Sequence, residues 1–176
     1  YNASNPSSSA PQVAFAYNQF TNSSQPWKIL FFHHNGYSGG SHKDSSSIIS
    51  NLIAMAVDTN VDAVIWGHSH VYERFGPQGN DPVFYTIGNG GKTYDKDNTC
   101  KSSRIPCTAV SPRGQAGFLL GEVNGNQLTF RYITQTGENP EPITLPADGR
   151  SSSTNAIRRH PSGGGPKTTS PPPSGL

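Results

Sequence analysis

Two short apolar runs, Trp27-Lys28-Ile29-Leu30-Phe31-Phe32 and Val61-Asp62-Ala63-Val64-Ile65-Trp66, have the length and β-branched or aromatic content of buried strands. Between them the apolar positions change period. Ser45 or Ser46 caps a predicted helix running to about Val57, with Ile48, Ile49, Leu52, Ile53 and Ala56 on its inner face. Strand, glycine-broken loop, helix and strand in that order predict a parallel crossover unit. Upstream, Val13, Phe15, Ala16 and Phe20 suit one face of a short helix that ends before Pro26. Downstream the pattern turns to strands: Val83–Ile87, then Ala116–Val123 and Gln127–Thr134 joined by Asn124-Gly125-Asn126, a hairpin signal. From Ala147 onward the chain is rich in Ser, Gly and Pro and cannot bury enough apolar surface to order itself. The expected organisation is a polar lead-in at 1–11, an α/β domain at 12–146 and a disordered low-complexity tail at 147–176.

Composition adds compartment and partners. Only 14% of the 176 residues are charged. Residues 1–146 hold nine Lys/Arg against ten Asp/Glu, and the tail holds four against one, so the net +2 resides in the tail. A mild positive tail without aromatics is the mark of a solvated appendage rather than a nucleic-acid surface. No stretch reaches the roughly 18–20 apolar residues of a membrane span. Cys100 and Cys107, with six residues between them in a polar loop, suit a short disulfide. Asn2-Ala3-Ser4 and Asn22-Ser23-Ser24 match the N-glycosylation acceptor pattern. With the cysteine pair they favour a secreted protein.

The candidate chemistry is histidine. Five of six histidines lie between residues 33 and 70: His33 and His34 end the first strand, His42 follows in a Gly/Ser loop, and Gly67-His68-Ser69-His70 follows the second strand. In open α/β sheets, sites form where strands end and loops begin. In near-extended backbone His68 and His70 would project to one side, roughly 6–7 Å apart, able to serve two ions. Gly67 would let the chain turn sharply beside them.

The order of buried strand, His33-His34-Asn35-Gly36-Tyr37-Ser38, His42, helix, buried strand and Gly67-His68-Ser69-His70-Val71-Tyr72-Glu73-Arg74 resembles the calcineurin-like metallophosphoesterases, and among them the purple acid phosphatase-like branch. The resemblance covers about residues 12–134. It implies the C-terminal half of a four-layer α/β/β/α sandwich and hydrolysis of a phosphoester by metal-bound hydroxide. It further implies His33 and His68 as ligands of a second metal, His70 as ligand of the first, and His42 facing the phosphate or leaving group as a catalytic residue. The ions implied are Fe, Zn or Mn. Asn35-Gly36 stands where the family usually places proline two residues after the first histidine, which is expected to loosen the loop.

The family's remaining ligands come from Asp-x-His, Gly-Asp and Gly-Asn-His-Glu motifs, and none of these occurs here. Three neutral imidazoles without a bridging carboxylate are not expected to hold two dications. Two expectations follow: a C-terminal part of a phosphoesterase whose partner is a missing N-terminal half, inactive alone, or a non-enzymatic extracellular module completed by self-association. A mononuclear site on His33, His68 and His70 is a third.

Overall fold

The computed structural model describes residues 1–40, 42–77, 79, 81–93, 102, 104–110, 114–138 and 143–146. Cys100 and the tail from Ala147 lie outside the described residues. Helix α1 spans Pro11–Asn22 and starts on a proline, whose missing N–H costs nothing at a helix start. Only Val13 of α1 is buried, while Phe20 packs partly on the core and Phe15 is exposed, against the expectation of a four-residue inner face.

After strand β1 (Ile29–Phe32) and a glycine-rich loop comes a composite helix: α2 (Ser46–Ile48), a π-helical turn (Ile49–Ile53) and α3 (Ala54–Asp58). Ser45 caps it through its side chain, which accepts from the Ile48 N–H. The π turn carries an extra residue per turn and rotates the buried face, so Met55 is fully buried beside Ile53 and Ala56. The helix ends in a Schellman arrangement. Asn60 takes φ 57° and donates to Val57, and Val61 donates back to Ala56.

Strands β2 (Ala63–Trp66), β3 (Tyr72–Phe75), β4 (Val83–Ile87) and β5 (Cys107–Val110) complete a five-stranded sheet of order β1-β2-β4-β3-β5. β1, β2 and β4 run parallel, as the crossover pattern predicts, and β3 and β5 add antiparallel. A second sheet holds β6 (Gly117–Asn124), β7 (Gln127–Thr134), β8 (Gly137–Glu138) and β9 (Ile143–Pro146). Its expected hairpin forms with a two-residue turn in which Gly125 takes φ 55°.

β2 is buried on both faces, which explains its unbroken apolar sequence. Val64 and Trp66 join Ile53, Ala56 and Phe84 under the helix, whereas Ala63 faces Tyr85, Leu128, Phe130 and Tyr132 between the sheets. Trp66 is 1% exposed and its Nε1–H donates to Thr86. Burying an indole contributes on the order of 4–6 kcal/mol of transfer free energy. Between the sheets, Tyr72 stacks on Tyr132 with centroids 3.9 Å apart. Burial raises the Tyr72 phenol to about 12. Tyr85 is fully buried, and its hydroxyl has no hydrogen-bond partner among the described residues. Replacing it with phenylalanine should raise stability by about 1 kcal/mol in urea melts, because an unsatisfied buried hydroxyl is removed. A loss of that size would show that the hydroxyl is bonded.

Three layers are thus described: helix, sheet and sheet, in the α/β architecture expected of a metallophosphoesterase-type sandwich. Two apolar rows remain uncovered. Phe31 on β1 is 77% exposed on the face toward the second sheet, so the expected burial of β1 on both faces does not hold. Phe118 and Leu120 on β6 are exposed on the outer face of the second sheet. Among the described residues, β1 and β6 are edge strands.

Candidate metal and phosphate site

Every parallel strand leads to the same place. His33 and His34 follow β1, the Gly67-His68-Ser69-His70 turn follows β2, and Gly88 follows β4. The Gly67 N–H donates to the His33 carbonyl, tying the first two strand ends together.

Three imidazoles converge on His68. Its ring centroid lies 3.9 Å from that of His42, 4.5 Å from His34 and 5.3 Å from His33. His34 is therefore nearer than His33, a placement the sequence pattern did not single out because strand alternation ends at Phe32. His33, His34 and His42 are exposed, and His68 and His70 are half-buried. Lost solvation, followed by the charges of His42, His34, His33 and His70, lowers the His68 pKa below the usual histidine value. Neutral imidazole is the form that binds metal. As the side chains stand, no three metal-ligating groups among the described residues converge closely enough to hold an ion.

The turn is not the extended segment expected from its sequence. His68 itself, not Gly67, adopts the left-handed conformation, with φ 62°. The Ser69 N–H donates to Gly67 and the Val71 N–H to Ser69, so two tight turns follow one another. A non-glycine residue in this region carries roughly 1–2 kcal/mol of strain. His68→Gly should therefore be up to about 1 kcal/mol more stable than the native chain, whereas His68→Ala, which keeps its Cβ, gains nothing. Equal melting points for the two variants would mean the turn relaxes.

The loop carrying His42 is fixed by three buried or half-buried polar side chains. Asn35, 3% exposed, donates from Nδ2 to the carbonyls of His42 and Lys43. The residue that replaces the family's proline therefore laces the loop to itself rather than loosening it. Asp44 accepts from the Ser38 N–H and from the Ser102 hydroxyl. Glu73, fully buried on β3, accepts from the Ser38 hydroxyl at 2.8 Å and from the Gly39 N–H at 2.9 Å. Tyr37 wedges the loop into the core against Trp66, Phe75 and Phe84. Neither Glu73 nor Asn35 stood out in sequence as an anchor, since each works through partners distant along the chain or through backbone atoms.

Among the described residues, the carboxylates near the cluster are thus engaged. Asp44 and Glu73 hold the loop, and Asp62, immediately before β2, accepts from the Lys28 N–H at the far end of the strands.

The comparisons agree with this architecture. Residues 6–72, which include His33, His34, His42, His68 and His70, match the family model for calcineurin-like phosphoesterases. Purple acid phosphatase 18 of Arabidopsis thaliana is 27% identical over 126 residues, covering 65% of this chain. This chain spans 28% of that relative's length. A purple acid phosphatase from yellow lupin seeds superposes with a TM-score of 0.67 at 18% identity, over 79% of this chain and 28% of its own. A Plasmodium protein described as the anchor in the inner membrane complex superposes with a TM-score of 0.63 at 20% identity, over 77% of this chain and 41% of its own. These two likenesses concern the fold, while the sequence matches extend to the histidine-bearing segment itself. The chain is a relative of the calcineurin-like metallophosphoesterases, with a purple acid phosphatase-like fold.

Proposed function

We propose that this chain is the C-terminal part of a secreted, metal-dependent phosphoesterase that hydrolyses phosphomonoesters only when an N-terminal half completes its site. One observation carries the reading: an all-imidazole cluster at the carboxyl ends of β1 and β2, with each nearby carboxylate among the described residues engaged elsewhere. In this reading His33 and His68 serve one ion, His70 the other, and His42 faces the phosphate.

The family works with metal ions, and imidazole suits Fe, Zn or Mn. The number and kind of donors here do not suit a pair of them. Two dications about 3.5–4 Å apart repel strongly and need an anionic ligand between them. Among the described residues, Asp44 and Glu73 are occupied as loop anchors and no free carboxylate stands at the cluster. The open edges at β1 and β6, with Phe31, Phe118 and Leu120 uncovered, offer surface for the missing half.

A second reading rests on those same edges: a non-enzymatic extracellular module, completed by self-association, that keeps the histidines. The fold shared with the Plasmodium anchor protein is compatible with it. Intact mass of the native protein separates the two. A longer chain, or a complex with an aspartate-bearing segment, supports the enzyme; a homodimer of this chain supports the module.

Secretion rests on the exposed acceptors Asn2 and Asn22 and on a Cys100–Cys107 disulfide. Alkylation of the native protein under denaturing, non-reducing conditions should find no free thiol. Two labelled cysteines would remove both the bridge and its support for an extracellular location.

A further inference from the structure

We propose that this chain by itself binds one zinc ion on His33, His34 and His68, with His34 as a ligand that neither the strand pattern nor the family resemblance assigns. The pairing of His33 with His68 rests on the phosphoesterase reading; the third ligand and the count of one ion do not. The three rings form a closed triangle. Their centroids lie 5.5 Å apart for His33 and His34, 5.3 Å for His33 and His68, and 4.5 Å for His34 and His68. Three imidazoles sharing a zinc, with Zn–N bonds of about 2.0–2.1 Å at roughly tetrahedral angles, hold their ring centres about 5 Å apart. The triangle already has that size.

The backbone explains how neighbours in sequence come to share a site. Successive side chains of a strand point to opposite faces. β1 ends at Phe32, and His33 and His34 lie in bends beyond it, so both rings reach His68. The Gly67 N–H on the His33 carbonyl and the left-handed turn at His68 fix the two segments around the triangle. The rings meet at 75°, 76° and 54°, and as they stand they do not hold an ion. Closing the site takes rotation of side chains, not movement of backbone. His33 and His34 are exposed, and among the described residues no hydrogen bond holds any of the three rings. His42 falls outside the triangle, since among the described residues its ring meets that of His68 and neither of the other two. The Nδ1 of His70 is buried. Three neutral donors suit a single dication with a fourth position open to water. A second ion about 3.5–4 Å away would be repelled with no carboxylate between the two.

The test titrates the full-length chain with zinc chloride in a calorimeter, and with cobalt(II) as a spectroscopic stand-in. One equivalent of zinc should bind saturably, and bound cobalt should show the intense visible absorption of a four-coordinate ion. His34→Ala should weaken zinc at least about tenfold and abolish that absorption, while His70→Ala and His42→Ala change the affinity less than about threefold. His34 is exposed, so its replacement leaves the fold intact, which the melting point of the variant checks. No saturable zinc, two equivalents, unchanged affinity in His34→Ala, or a loss in His70→Ala as large as in His34→Ala overturns the proposal. The readout needs neither a phosphoester nor an N-terminal half, so this failure is separate from failure of the phosphoesterase reading.

Discussion

Gly88→Ala should cost about 3 kcal/mol of folding stability, the upper end of what overpacking a core position costs. A Cβ at this position would lie 2.2 Å from the Ser69 carbonyl oxygen and 2.9 Å from its carbonyl carbon. Both are backbone atoms of the histidine turn, so no side chain can rotate away to make room. The Gly88 N–H also donates to the Val71 carbonyl, which fixes the two segments side by side. Relief requires the His68-Ser69-His70 turn to move outward, away from β4. The variant should therefore lose stability, whereas Gly91→Ala, which meets open space, should lose none. Denaturant melts on the two variants measure this. A Gly88→Ala protein as stable as the native chain would mean that the loop after β4 is not packed against the turn.

Gly88 shows where sequence reading stops. The strands β1, β2 and β4, the composite helix and the β6–β7 hairpin were legible because each carries an apolar period or a turn dipeptide of its own. The histidines were legible because they follow those strands. Gly88 stands in Ile87-Gly88-Asn89-Gly90-Gly91, where nothing marks one glycine as the one pressed against a loop nineteen residues upstream. β3 was hidden for a related reason. Tyr72-Glu73-Arg74-Phe75 mixes charges with aromatics and reads as the end of a motif, yet Glu73 is fully buried. Its burial is tolerable because the 38–39 segment of the histidine loop satisfies the carboxylate, and that partnership crosses thirty-five positions of sequence. The left-handed conformation of His68 was equally unreadable: glycine at 67 was the residue expected to take it, and histidine did.

These anchors change what the carboxylates can do. A loop aspartate such as Asp44 would be a natural candidate to swing toward the imidazoles if it were free. It bonds Ser38 on its own loop and Ser102 across the molecule, so turning it inward would undo two hydrogen bonds. Glu73 is worse placed, because withdrawing it would strand the Ser38 hydroxyl and the Gly39 N–H in a buried site. Each unsatisfied donor of that kind costs roughly 1–3 kcal/mol.

For that reason the isolated chain should hydrolyse an activated phosphate monoester no faster than free zinc, manganese or iron does. Adding an N-terminal half that bears Asp-x-His, Gly-Asp and Gly-Asn-His-Glu motifs should raise the rate at least about a thousandfold over that background, still a small part of the acceleration enzymes reach. The gain should vanish in His68→Ala, since His68 is the ring on which His33, His34 and His42 converge. The initial rate of p-nitrophenyl phosphate hydrolysis, with and without the added half, decides the matter. Metal-dependent turnover by this chain alone, lost in His68→Ala, would show that a carboxylate of this chain, Asp44 among the candidates, completes the site. No gain from the added half, with the complex formed, would favour the non-enzymatic module.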